Sequence, residues 1–169
     1  YSWGKPNSPD QDYRKTSFIK HYAPLDWIIG TGEYLDEVED KTQGNILNTV
    51  QGYRYGEDGF IFIYRFDGYC VSHYREDLIG TSRWDEKDAQ GTYFVQRLIS
   101  LSQGTSGGYL EWVSEKRPST GEPGRKLGYA YSVPEWNWTV GSGIYLDKIE
   151  QEIDARRKAL LDSLRRNLL

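Results

Sequence analysis

The chain has 169 residues, with 21 basic and 25 acidic side chains, a formal net charge of −4, one cysteine and no methionine. That length supports one good core or two small ones, and the mixed charge argues against nucleic acid, which favours a basic face. Cys70 alone permits neither a disulfide framework nor a multi-cysteine metal site within one chain. No apolar run approaches the roughly 20 residues needed to span a bilayer, and no signal peptide is present. The chain opens at Tyr1 inside a predicted strand, which reads as a piece of a longer protein. Its 14 Tyr, 6 Trp and 5 Phe mostly alternate at period two, the mark of half-buried strands in a twisted antiparallel sheet.

In chain order, a short strand at Tyr1-Ser2-Trp3 is followed by one running from Lys15 into the turn Ala23-Pro24-Leu25-Asp26. A partner strand runs from Trp27 to Tyr34. A helix then opens at Asp36, an N-cap residue with Glu39 three positions on, as in a capping box. Val38, Thr42, Ile46 and Val50 share one face of that helix. Next come Phe60 to Phe66 and Tyr69 to Tyr74, joined by Asp67-Gly68, a strong signal for a two-residue hairpin. A loop through Gly80 and Trp84 leads to a helix from about Lys87 to Ser102, carrying Tyr93, Phe94, Leu98 and Leu101. Strand Tyr109 to Val113, a Pro/Gly loop from Pro118 to Gly124, and strands Lys126 to Val133 and Trp138 to Leu146 follow. The last segment, Asp147 to Leu169, is a long helix. Ile149, Ile153, Leu160, Leu164 and Leu168 form its apolar stripe, with Leu161 beside it, at a spacing that suits a partner helix.

An internal repeat organises these elements. Lys15 to Glu39 matches Lys126 to Glu150 at a constant offset of 111 residues, without a gap. Trp27 meets Trp138, Gly30 and Gly32 meet Gly141 and Gly143, and Tyr34-Leu35-Asp36 meets Tyr145-Leu146-Asp147. Tyr1-Ser2-Trp3 also resembles Leu110-Glu111-Trp112 across a loop of different length. One supersecondary unit is used twice. The Gly-x-Gly in each strand implies a close backbone approach, most simply a helix packed on the sheet. It lacks the third glycine of a dinucleotide fingerprint. The predicted fold is therefore α+β and PAS-like. It has a five-stranded antiparallel sheet with a crossing helix and a long terminal helix, preceded by the closing hairpin of a truncated first copy.

These residues resemble a family. Trp27 to Asp36 and its repeat are similar to the closing strand of Cache domains, the extracytoplasmic sensor modules of chemoreceptors, histidine kinases and diguanylate cyclases. Gly68 to His73 with Leu78-Ile79-Gly80, Asp88-Ala89-Gln90-Gly91, and Lys126 to Tyr131 resemble further parts of that family's pattern. Two copies in tandem resemble the double-Cache arrangement, although Tyr74 stands where the family usually has Pro. The resemblance implies a first, membrane-distal module in residues 1–36, a linking helix in 37–52, a membrane-proximal module in 53–146, and a helix leading towards the membrane in 147–169. It also implies a periplasmic sensor on an inner-membrane receptor that is a homodimer in full length. Its ligand would be a small metabolite, often a short carboxylate, with no cofactor.

A two-residue turn places Phe66 opposite Tyr69, Tyr64 opposite Val71 and Phe62 opposite His73. His73 then shares a face with Phe60, Phe62, Tyr64, Phe66, Tyr69 and Val71. An imidazole there is suited to orienting a small ligand. Lys126 heads a strand whose alternate residues Gly128, Ala130 and Ser132 leave room, and a carboxylate in a partly dry pocket needs such a cation. Tyr129 and Tyr131 are candidates to add hydroxyls at the rim or to pack in the core, and Trp84 to close a lid or to cover the sheet. Trp112 is expected mostly in the core. Cys70 and His73, at i and i+3 of one strand, point to opposite faces and form no nucleophile–base pair. No enzyme motif is present. The rival reading is a carbohydrate-binding module built on exposed aromatic platforms.

Overall fold

The computed structural model describes residues 1–167, without the side chains of Lys148 and residues 165–167; Leu168 of the predicted stripe lies outside the described residues. The chain divides into two compact units, Tyr1–Thr49 and Val50–Leu169. In the first, β1 (Ser2–Lys5), β2 (Ser8–Tyr22) and β3 (Trp27–Tyr34) form an antiparallel meander, and α1 (Leu35–Gly52) follows. The second begins with β4 (Arg54–Tyr55), β5 (Gly59–Arg65) and β6 (Cys70–Ser72). It continues through α2 (Phe94–Ser102), β7 (Gly108–Ser114), β8 (Gly124–Val133), β9 (Trp138–Tyr145) and α3 (Leu146–Asn167). The sheet order is β4-β5-β9-β8-β7, with β6 also paired to β5. The five predicted strands are present in PAS-like order, and the two-residue β4 adds a sixth.

The repeat survives as register. Lys15 pairs with Tyr34 and Tyr22 with Trp27, while Lys126 pairs with Tyr145 and Val133 with Trp138. Each hairpin turns through one 3-10 turn containing Pro, then through a left-handed residue, Asp26 at φ 52° or Asn137 at φ 54°. Short polar side chains tolerate that region best.

One face of the larger sheet carries the core. Val95, Leu98 and Ile99 of α2 lie against Phe60, Phe62, Tyr64, Leu110, Trp112 and Ala130. Trp112 is buried, as its sequence context suggests. The glycines serve that face, though not by admitting a helix. A Cβ on Gly141 would stand inside 3.0 Å of the Phe62 ring, and one on Gly128 inside 3.0 Å of the Trp112 ring. Cross-strand aromatic rings are what approach the backbone here.

Other expectations are corrected. The crossing helix starts at Phe94, not Lys87. The Asp88 carboxylate accepts the backbone N–H groups of Gln90, Thr92 and Val113, and this local turn outcompetes helix. Burial pushes the Asp88 carboxyl up, but these N–H donors outweigh it and hold it low. Tyr93 is left at the helix edge and exposed. Asp36 and Asp147 fall inside their helices instead of capping them, and each pairs with a cation from elsewhere in its unit. In the first unit the counterpart of Trp112 is Tyr1. Its carbonyl accepts from Lys15, as Trp112 pairs with Lys126, whereas Trp3 pairs with Tyr13.

Candidate functional site

The β5–β6 hairpin departs from its predicted register near the turn. Tyr64 pairs with Cys70 and Ile63 with Ser72, so a bulge at Val71 absorbs one residue. Past the bulge the pairing is in the predicted phase, and β6 ends just before His73. Cys70 thereby joins the core beside Tyr64, while Tyr69 is exposed. Cys70 and His73 consequently both lie on the side of Phe60, contrary to the simple alternation expected. The thiol is no activated nucleophile, because burial pushes it up to about 12.

His73 is buried, with its ring 5.0 Å from Phe60 and 4.9 Å from Tyr74. Its Nδ1 accepts the backbone N–H of Arg75 at 3.1 Å, an arrangement that leaves the proton on Nε2. Burial first, then the positive charges of Lys126, Arg83 and Arg75, pull the imidazole down to about 3. His73 is therefore a neutral donor at any physiological pH.

Lys126 is only 1 % exposed. Its Nζ lies 3.6 Å from the centroid of Phe60, with the rings of Tyr145, Trp112 and Phe62 at 5.3, 5.7 and 5.9 Å. These aromatic faces offset part of the desolvation of the ammonium. Among the described residues it makes no hydrogen bond or ion pair. Burial draws it down to about 7, with the negative charge of Asp58 working the other way.

Lys126, His73, Phe60, Phe62, Tyr64 and Trp112 line a common cavity of about 40 Å³, closed above by Phe94 and Leu98. One water needs roughly 10–15 Å³ on the same measure, so the space suits a few heavy atoms and not a sugar ring. Its mouth is set by Tyr74, Arg75 and the segment Ser114, Glu115 and Lys116. Arg75 bridges that mouth, pairing with Asp77 at 2.7 Å and Glu115 at 3.3 Å.

Of the residues singled out from sequence, His73 and Lys126 come together at this cavity. Tyr129 and Tyr131 do not, because they occupy the outer face of β8, opposite to Lys126, and both are exposed. Tyr129 donates its hydroxyl to the Ser106 carbonyl and packs on Tyr109. Trp84 lies over the Gly68 turn and its carbonyl accepts from Gln96, so it covers the hairpin and not the cavity. Tyr145, Tyr74 and Arg75 were missed. Counting back along the hairpin from the Pro134 turn places Tyr145 opposite Lys126, so that signal was available. Tyr74 and Arg75 depend on a loop path that no periodicity reports.

Comparison with known proteins agrees with the fold. Residues 1–150 match the Cache domain family (dCache_2), and the chain belongs to it. The sensor histidine kinase MctS of Rhizobium johnstonii is 30% identical over 135 residues, covering 79% of this chain and 28% of that protein. The methyl-accepting chemotaxis protein CtpM of Pseudomonas aeruginosa is 31% identical over 162 residues, covering 86% and 28%. The chain thus spans little more than a quarter of these relatives. A methyl-accepting chemotaxis protein from Vibrio parahaemolyticus superposes with a TM-score of 0.58 at 29% identity, over 68% of this chain and 80% of that one. A Cache chemosensory domain described by its carboxylic acid recognition shares the fold, with a TM-score of 0.59 at 23% identity over 63% and 72%. This chain is a Cache sensor domain of the kind that chemotaxis receptors and sensor histidine kinases carry.

Proposed function

We propose that the chain is the extracytoplasmic sensor of a bacterial membrane receptor and binds a short carboxylate in the Lys126 cavity. The observation that carries this reading is a buried ammonium that makes no hydrogen bond or salt bridge with any described residue, facing a small aromatic cavity. The ligand carboxylate pairs with Lys126 Nζ and accepts a hydrogen bond from His73 Nε2–H, a charge-assisted pair in a low-dielectric site. Residues 1–36 are the closing part of a membrane-distal module and 37–52 a linking helix. Residues 53–146 form the sensing module, and 147–169 lead towards the membrane. No described helix is long and apolar enough to cross a membrane; the proposed anchor lies in other parts of the receptor. There α3 pairs with its counterpart in a homodimer through Ile153, Leu160 and Leu164, all exposed in this chain.

Calorimetry with acetate, propionate and pyruvate, alongside amino acids and monosaccharides, tests the reading. A response to carboxylates that vanishes in Lys126→Met is expected. A response to sugars alone would overturn it in favour of a carbohydrate-binding module, with the exposed Tyr109, Tyr129 and Tyr131 face as its platform.

A further inference from the structure

The segment that forms the cavity mouth is fastened to the head of α3. Ser114, Glu115 and Lys116 line the cavity. The Lys116 carbonyl accepts from Tyr74 Oη at 2.8 Å and from Tyr145 Oη at 3.1 Å, and Tyr145 Oη also meets Ser114 Oγ at 3.1 Å. The next residue, Arg117, lies over the Tyr145 ring at 4.6 Å and reaches the Asp147 carboxylate in the first turn of α3. Gly124 makes room for this, since a Cβ there would stand 2.6 Å from Arg117 Nη2 and 3.2 Å from Asp147 Oδ2.

The first unit holds the same arrangement. Tyr34 Oη donates to the Gly4 carbonyl at 2.8 Å, the next residue Lys5 lies over the Tyr34 ring at 5.2 Å, and Lys5 pairs with Asp36 at 2.6 Å. Tyr34 and Asp36 are the repeat counterparts of Tyr145 and Asp147. The cation differs, Lys in one unit and Arg in the other, but in both it lies over the tyrosine ring and pairs with the aspartate. Lys5 holds the Asp36 carboxyl low through a direct hydrogen bond.

We infer that this latch, from the Lys116 carbonyl through Tyr145 and Arg117 to Asp147, couples occupancy of the Lys126 cavity to the head of α3. The inference rests on the reading of that cavity as the ligand site. Tyr145 is both a wall of the Lys126 cation box and the hydroxyl that holds the mouth segment, so a ligand that shifts either moves the other. Arg117 is a positioning residue and touches no ligand itself. Coupling of this kind is reciprocal, with a typical factor of about 5–150.

Hydrogen exchange of the backbone amides in the first two turns of α3, with and without saturating acetate, is the test. In the unsubstituted chain, acetate is expected to change these rates by about fivefold or more. The change should disappear in Arg117→Ala and in Gly124→Ala, and persist in Arg117→Lys, because Lys5 performs the same task in the first unit. Acetate affinity should drop in Arg117→Ala by the same factor that the exchange change loses. Equal exchange with and without acetate, or an unchanged response in Arg117→Ala, would overturn the latch. If no carboxylate binds, the ligand reading fails, and Lys126→Met replaces the ligand as the cavity perturbation. The latch then predicts altered α3 exchange in Lys126→Met that is absent when Arg117→Ala is also present. Its presence in both backgrounds, or in neither, would refute the latch independently.

Discussion

The two copies of the strand–turn–strand–helix unit share their turn, their eight-pair register and their helix-head latch, yet only the second encloses its lysine. Lys15 and Lys126 are counterparts, and each lies over the tyrosine paired with it, at 4.6 and 5.3 Å. Lys15 is half-buried and Lys126 is enclosed. Ile28 and Thr139 are also counterparts. Ile28 is 76% exposed, whereas Thr139 is fully buried and hydrogen-bonded to Ser102 of α2 at 2.8 Å. The difference comes from β5 and α2, which bring Phe60, Phe62 and Phe94 over the second copy. The repeat thus encodes a shared scaffold, and the elements added around its second copy turn a half-buried lysine into a buried one.

That contrast is open to direct attack. Its largest expected consequence concerns binding. Lys126→Met should weaken acetate or propionate binding by about 2–5 kcal/mol, roughly 30-fold or more, while Lys15→Met leaves titration calorimetry unchanged. A comparable loss in both variants would erase the functional distinction between the copies.

Proton linkage sharpens the same point. Lys126 sits at about 7 in the folded chain against an ordinary 10.5, so the unfolded state binds more protons between those values. Ligand-free stability should then rise with pH through this window. Acetate affinity should run the opposite way, falling about tenfold per pH unit above 7 as the ammonium is lost. Denaturation and binding measured from pH 6.5 to 9 check both signs, and Lys126→Met should abolish both slopes.

The glycines offer a smaller test. Gly141→Ala drives a Cβ into the buried Phe62 ring and should cost about 1–3 kcal/mol in denaturant unfolding of the second unit. At its counterpart Gly30, the first side-chain atom met is the Cγ2 of the exposed Ile19, which can rotate away. Gly30→Ala should cost less than Gly141→Ala. Smaller still, Ile28→Ser on the exposed sheet face should stay within about 0.5 kcal/mol.

Much was legible in the sequence because its signals are local. Pro24 and Pro134 followed by Asp26 and Asn137 specify the hairpin turn, and a side-chain period of two then fixes which residues pair across it. Those cues, used twice, yield the repeat, and with the Asp67-Gly68 turn they give the PAS-like order and put His73 on the face of Phe60 and Phe62. The position of Tyr129 and Tyr131 on the face opposite Lys126 follows from the same alternation. Other features depended on interactions between distant segments. The bulge at Val71 lets Cys70 pack beside Tyr64, and the Asp88 turn shortens α2 by bonding to Val113 on another strand. The depressed proton affinity of Lys126 needs four rings from β5, β7 and β9 around one amine. Pairing pattern is a property of neighbouring residues, whereas desolvation is a property of everything that encloses a group, and only the tertiary structure decides it.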